Sequence, residues 1–374
     1  METAEKKKMR VGVVGCGAIS DIYLTNMIQN FDNLEVVACC ASHLEHAEKK
    51  AEQYGIKGCA YEEILADDTI EMVVILTPAP THEGLIRQAL EAGKHVYTEK
   101  TMTLSPKTAA ELMELAEEKH LYFGSAPDTF LGAALQTARK AIDDGLIGEV
   151  TSFEAYANRD LDLLASMFRF LRMPGGGICY DFGVYYLTAL VSLFGPVDRV
   201  VSSVRNLEQK RVNEIPGTPD YGQEFDYNNE SQVFTILEME NGVRGTFCVN
   251  GDSVINDQSV FTIYGKKGIL KLTDPNNFGG EIIYIPGQKD WSTQAVPEVL
   301  NYGFGYSENS RGLGPSEMAE AISEGRSNRA SAKMAYHVLD VIEQIMKSAA
   351  SGQFESVPST CERPEAMPVP KKEV

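Results

Sequence analysis

Apolar and polar positions alternate along the first third of the chain in blocks rather than singly. Val11-Gly12-Val13-Val14 is an apolar run that leads into Gly15-Cys16-Gly17 and a helix-compatible segment. Leu34–Ser42 reads as a second buried strand, and Leu44–Tyr54 as a helix stopped at Gly55. Glu62–Leu65 suits a short helix. Met72-Val73-Val74-Ile75-Leu76 then runs without a polar break to Thr77-Pro78. A helix over Glu83–Ala92 halts at Gly93, and His95–Lys100, Lys107–Lys119 and Leu121–Ala126 read as strand, helix and strand. Strands apolar on both sides are strands covered on both faces, and their alternation with helices predicts a doubly wound parallel sheet.

From about Val150 the period changes. Thr151–Tyr156, Val197–Val204, Gln232–Glu238, Gly245–Val249, Ser259–Tyr264, Gly268–Leu272 and Ile282–Ile285 read as strands, several alternating with period two. Turns at Asn241-Gly242 and Gly265-Lys266-Lys267-Gly268 join some as meanders. Helices over Tyr185–Phe194 and Ala330–Ala349 would cover one face and leave the other for a second subunit. The fold class expected is therefore α/β: an N-terminal Rossmann-type parallel sheet, then an α/β domain on a large open, mostly antiparallel sheet. The expected division is 1–127, 128–356, and an extended arm, 357–374, containing Pro358, Pro364, Pro368 and Pro370.

Composition narrows the partners. The 374 residues are 43% apolar, ample for two cores. Lys and Arg number 34 against 53 Asp and Glu, a formal charge of −19. Such a surface repels phosphate backbones and anionic lipids, so neither nucleic acid nor membrane is expected as partner. An anionic cofactor must then be held by backbone dipoles. The seven cysteines form no C-x-x-C pair and no disulfide framework, the charged start Met1–Arg10 is unlike a signal peptide, and no metal site is expected. These features suit a reducing cytoplasm.

The candidate chemistry lies at strand ends. In Gly15-x-Gly17 the first glycine permits a tight turn and the second a close backbone approach to a pyrophosphate, which the following helix N-terminus favours. Gly15, Gly17, Ala18 and Ile19 would form that site, with Ser20 in place of the usual third glycine. After the second strand, Ser42 and His43 stand where an acid would select NAD(H) or an Arg NADP(H). Neither an acid nor a permanent cation is present, and the lack of a cation favours NAD(H), with NADP(H) the alternative. Thr77, Pro78, His82, Glu99 and Lys100 end the next two strands. All these positions fall on one edge of one sheet, where such folds bind ligands. Gly175-Gly176-Gly177 permits backbone to approach a ligand closely. Asp181 and Tyr185, four apart at a helix start, share a face.

Together these residues resemble the Gfo/Idh/MocA oxidoreductase family. The markers are Gly15-x-Gly17 with Ile19, Thr77-Pro78 with His82, Glu99-Lys100, Gly145-x-x-Gly148 and the block from Gly175 to Tyr185. Two positions depart from the usual family pattern: Thr101 replaces a proline after Lys100, and Tyr185 replaces a histidine. The tyrosine resembles the glucose–fructose oxidoreductase and dimeric dihydrodiol dehydrogenase branches. The resemblance implies NAD(P)-dependent oxidation of a sugar, glycoside or polyol hydroxyl, pyranose C3 among the candidates, in a homo-oligomer (dimer or tetramer) whose large sheet forms the contact. Glu99 would contact the nicotinamide ribose. Relatives that cleave glycosides through transient oxidation, or that only sense ligands, are the alternatives.

The chemistry needs a base for the hydroxyl proton. Lys100 or Tyr185 would serve, since an ammonium beside a phenol favours phenolate, and Asp181 would hold Lys100 or a sugar hydroxyl. Asp128, Arg159, Asp160, Arg169, Arg172 and Arg311 are the candidate substrate contacts.

Overall fold

The computed structural model describes residues 7–369 apart from 256, 289 and 293. Residues 370–374 of the expected arm lie outside the described residues.

Two compact units form, and a sequential cut at 127 and 356 does not describe them. The first comprises residues up to Asp128 together with Ser310–Tyr336; the second comprises Thr129–Asn309 with His337 onward. The first unit is built on β1 (Met9–Val14), α1 (Ser20–Gln29), β2 (Leu34–Cys40), α2 (Leu44–Tyr54), β3 (Lys57–Gly58), α3 (Tyr61–Ala66), β4 (Met72–Ile75), α4 (His82–Glu91), β5 (His95–Thr98), α5 (Pro106–Glu118) and β6 (Phe123–Ser125). The six strands are parallel in the order β3-β2-β1-β4-β5-β6. All four residues of β4 are buried, as an unbroken apolar run between two helical layers requires.

The second unit begins with α6 (Ala133–Asp143), β7 (Val150–Asn158), α7 (Leu161–Met167) and α8 (Val184–Phe194). It continues through β8 (Val197–Arg205), a separate hairpin of β9 (Lys210–Val212) and β10 (Glu224–Asp226), and then β11 (Gln232–Met239), β12 (Arg244–Asn250), β13 (Gln258–Gly265), β14 (Gly268–Leu272), β15 (Ile282–Pro286) and β16 (Glu298–Leu300). After α9 (Leu313–Glu324), which belongs to the first unit, the chain runs through α10 (Ala332–Ser351), most of it in the second unit, to β17 (Glu355–Ser356). The large sheet has nine strands in the order β16-β15-β14-β13-β7-β12-β11-β8-β17. Only the β7–β12 pair is parallel.

One face of this sheet is covered. Phe153 of β7 stacks on Phe194 of α8, with ring centroids 5.9 Å apart, and Tyr186 of α8 meets Phe261 of β13 at 5.8 Å. The other face carries Phe234, paired in register with Cys248, then Tyr156, then Val260. Phe234, Ile236 and Val260 on that face are exposed. Residues 357–369 have no regular structure but lie along the second unit: Val357 N–H bonds the Asp198 carbonyl at 2.8 Å, and Met367 N–H bonds Gln136 at 2.8 Å.

The segment carrying α9 joins the first unit as an edge. Ser125 N–H donates to the Ala330 carbonyl, and Gly124 pairs with Ser331. A Cβ on Gly124 would stand 2.8 Å from that carbonyl, so the edge closes only over glycine. Among the described residues no helix is long and apolar enough to cross a membrane.

Candidate active site

In the first unit the carboxyl edge of the sheet has the geometry of an anion-binding turn. Gly15 sits at φ +106°, and a Cβ there would press on the Leu76 backbone at 3.0 Å, so only glycine fits. Gly15 N–H is pinned to the Cys40 carbonyl at 2.9 Å. A Cβ on Gly17 would meet nothing within 4 Å, so the outer side of the turn is open. Ser20, fully buried, donates its hydroxyl to the Gly17 carbonyl at 2.6 Å. The serine thus fills the third glycine's position by closing the turn with a hydrogen bond. Ser42 and His43 are exposed beyond β2.

His82 and Glu99 both have partners within the protein. The His82 ring is fully buried, with Nδ1 2.8 Å from the Thr101 carbonyl and Nε2 2.7 Å from the Thr77 carbonyl. It ties the loop after β4 to the loop after β5. Burial pulls its pKa down, against the pull of the two carbonyls. Glu99 is 8% exposed; its Oε1 accepts the Tyr23 hydroxyl at 2.7 Å and its Oε2 the Lys100 N–H at 3.0 Å. Glu99 therefore links α1 to the loop that carries Lys100. The Lys100–Thr101 peptide is cis. Asp128, expected at the substrate, is 1% exposed and accepts the Gly314 N–H at 2.8 Å in the first turn of α9. Burial pushes its carboxyl up to about 6. The Arg311 carbonyl accepts the Asn26 amide at 2.8 Å.

In the second unit Asp181 lies in a π-helical turn, Cys179–Gly183, that runs directly into α8. Such turns are rare and often mark functional sites. Gly183 packs against β12: a Cβ there would be 2.9 Å from the Phe247 ring. Tyr185 is 8% exposed, its ring 6.1 Å from that of Phe182. The three-glycine run is closely approached by the protein itself. A Cβ on Gly176 would strike the Leu171 carbonyl at 2.3 Å, and one on Gly177 the Glu230 carboxylate at 1.9 Å. Glu230 accepts the Cys179 N–H at 2.9 Å, and burial pushes its carboxyl up to about 7. The polar run Asn228-Asn229-Glu230-Ser231 gives no sign in the sequence that one member caps this turn.

The expected substrate arginines are engaged. Arg159 is 5% exposed, ion-paired with Asp274 and stacked 3.7 Å over the Phe182 ring. Arg169 and Arg172 both pair with Asp220, at 2.9 and 3.5 Å, and Arg172 also stacks 3.7 Å over Phe225. Asp160 caps α7 through the Leu163 N–H at 3.0 Å. Arg159 and Asp128 thus belong to buried internal networks rather than to a polar lining.

Residues 9–126 match the family model described as oxidoreductase family, NAD-binding Rossmann fold, and residues 135–271 match the GFO/IDH/MocA C-terminal domain. The chain belongs to the GFO/IDH/MocA family. A Schizosaccharomyces pombe uncharacterized oxidoreductase is 30% identical over 205 residues, and that match spans 54% of this chain and 56% of the yeast protein. An Escherichia coli D-glucoside 3-dehydrogenase is 25% identical over 268 residues, 68% of this chain and 74% of that one. A levoglucosan dehydrogenase structure, solved with NADH and L-sorbose, superposes with a TM-score of 0.79 at 19% identity, covering 94% of this chain and 99% of that one.

The residues fit the dinucleotide that this GFO/IDH/MocA family model names. The turn has glycine where φ is positive, an open outer side at Gly17, and a following helix, α1, whose start has no side-chain cap. Gly15, Gly17, Ala18, Ile19, Ser42, His43, Thr77 and Pro78 all stand on this sheet edge.

Proposed function

We propose that this protein is an NAD(P)-dependent dehydrogenase that oxidises, or in reverse reduces, one hydroxyl-bearing carbon of a sugar, glycoside or polyol. The observation that supports this most is the fixing of the Lys100 loop. Its backbone is held by Glu99, Glu99 by Tyr23, and Thr101 by His82, on the same edge as the Gly15–Gly17 turn. A cation so placed donates to an oxygen that gains charge as its carbon changes oxidation level. The bound nicotinamide supplies the hydride acceptor.

Lys100 and Tyr185 are assigned the proton: one takes it from the substrate hydroxyl, while Lys100 stabilises the resulting oxygen. Asp181 orients a substrate hydroxyl or Lys100. NAD(H) is the favoured cofactor because Ser42 and His43 offer no permanent cation to a 2′-phosphate. A glycoside oxidised at pyranose C3 is the specific substrate class favoured, in keeping with the name of the 25%-identical relative. The row of Phe234, Cys248, Tyr156 and Val260, exposed at its two ends, is assigned to a second copy of the chain, and sedimentation as a monomer would rule this out.

Incubation with NAD and a panel of glycosides and polyols tests the proposal. Stoichiometric NADH and a product two mass units lighter are expected. Released aglycone without net NADH would point instead to glycoside cleavage.

A further inference from the structure

At one end of the nine-stranded sheet, wholly within the second unit, lies a cleft of about 770 Å³. Volumes of roughly 300–1,000 Å³ are typical of pockets that take small molecules. Leu193 and Phe194, the last two residues of α8, and Val243, after the β11–β12 turn, give it an apolar wall; Thr151, Asn241 and Arg363 also line it. Thr151 shares a face of β7 with Phe153, which stacks on Phe194. The cleft therefore opens on the helical side of the sheet, not on the face assigned to a second copy. It is also separate from the turn that carries Asp181, which stands at the other end of α8. The eleven residues of that helix put about 16 Å between them.

Most polar side chains of the cleft are committed. Asn241 donates to the Phe194 carbonyl at 2.9 Å and accepts the Val243 N–H at 3.0 Å. The Thr151 hydroxyl donates to the Tyr264 carbonyl at 3.1 Å. Glu149, on the exposed rim, pairs with Lys266 at 2.5 Å.

Arg363 is the exception. Its Nη2 donates to Asp143 at 2.8 Å, but its Nε has no partner among the described residues, on a group that carries five donors. Its side chain is 31% exposed, so it is reachable from the cleft it lines. Asp143 is shared, because its other oxygen accepts Arg139 Nε at 2.6 Å. Two guanidinium groups thus stand against one carboxylate. Burial and then the Arg139 charge pull the Arg363 pKa down, against Asp143, as befits a cation whose counter-charge is incomplete. One positive charge is left over beside an apolar wall, in a chain of formal charge −19. A single excess charge is matched by a monoanion, and the carboxylates of Asp143 and Glu149 oppose a phosphate dianion.

We propose that this cleft binds a small amphipathic monocarboxylate, with its carboxylate on the Arg363 guanidinium and its apolar body against Leu193, Phe194 and Val243. The planar guanidinium matches a carboxylate in shape, and the ligand supplies an acceptor for donors that the protein leaves unused. Binding here needs neither the dinucleotide nor the substrate of the proposed reaction.

The test titrates the full chain with octanoate by calorimetry. Acetate carries the charge alone, octanol the apolar body alone, and inorganic phosphate serves as the dianion. One octanoate per chain is expected, with the other three each weaker by about tenfold or more. Arg363→Met, which keeps much of the length without the charge, should weaken octanoate by about tenfold or more and leave octanol where it was. Thr151→Trp fills the cleft from an exposed position and leaves Arg363 in place, so it should remove octanoate binding, and it decides the matter if Arg363→Met does not fold. No octanoate binding to the wild type, octanol or phosphate binding as tightly as octanoate, or octanoate binding that neither substitution weakens would each overturn the proposal.

Discussion

Glu230 Oε1 accepts the backbone N–H of Cys179 at 2.9 Å, across 51 positions of sequence. The carboxylate thus caps the turn that carries Asp181 and leads to Tyr185. It is faced by the Cys179 and Tyr180 N–H groups, which favour its charge, and by Asp181, which opposes it. Tyr227 lies on the same side, its hydroxyl 3.4 Å from the Glu230 carbonyl, with Arg211 stacked on its ring. Burial dominates and lifts the carboxyl from its usual 4.5 to about 7.

That lift has a definite sign in stability. Between 4.5 and about 7 the folded state holds a proton that the unfolded state has lost. The contribution of Glu230 is therefore complete below 4.5 and disappears as pH rises through about 7. Glu230→Gln keeps an acceptor for Cys179 and cannot ionise. Its melting temperature should gain on the wild type between pH 5 and pH 8, by an amount corresponding to roughly 1–3 kcal/mol. Parallel melting curves for the two proteins would refute this.

Gly177→Ala should be among the most damaging single substitutions in the chain. The added methyl would lie 1.9 Å from a Glu230 oxygen whose carboxylate is itself fixed by backbone N–H groups. A loss above about 3 kcal/mol is expected in denaturant titration. Gly145→Ala, where φ is also unusual at +72° but space is open, should cost nearer 1 kcal/mol, roughly the strain of a left-handed non-glycine residue.

Tyr23→Phe removes only the hydroxyl that binds Glu99 Oε1. A buried carboxylate oxygen then loses its donor, at a cost of about 1–3 kcal/mol. Thermal unfolding reads this directly, and an unchanged midpoint would show that Glu99 does not depend on Tyr23.

His337 gives the opposite pH dependence. Its Nε2 accepts the Val197 N–H at 2.9 Å, which requires a neutral nitrogen there, and its Nδ1 meets the Ser359 hydroxyl at 3.0 Å. Burial pulls it from 6.5 down to about 4. Between these values the unfolded chain binds a proton that the folded one refuses, so this contribution is complete above 6.5 and is lost as pH falls through about 4. The wild-type midpoint should drop over that window, and His337→Gln should flatten the drop.

The parallel sheet was legible because β1, β2 and β4 are largely unbroken apolar runs, and the open sheet because β8, β11 and β13 alternate. Three kinds of feature were not. Helix α6 presents its inner face largely through Ala134, Ala138 and Ala141, which give a weak apolar signal. Strands β9, β10 and β16 are three residues each and exist through their pairing partners. The return of Ser310–Tyr336 to the first unit depends on contacts such as Asn33 with Ser316, 283 positions apart, which no local pattern announces.

The site divides in the same way. Glycines told where backbone must pass closely, at Gly15 and Gly177, but not that Glu230 is what Gly177 passes. His82, Glu99, Asp128 and Arg159 were marked as functional by type and position. In the structure they also have internal partners, at the loops after β4 and β5, α1, α9 and the Phe182 ring.

The most direct test of the function proposed here is turnover by Lys100→Met, compared with wild type on the glycosides and polyols that the wild type oxidises. NADH binding by fluorescence should persist while NADH production falls by about 10²–10⁴-fold, the usual contribution of a positioned acid–base group. Turnover near the wild-type rate, or a wild type that binds NADH yet oxidises no polyhydroxyl compound, would contradict it.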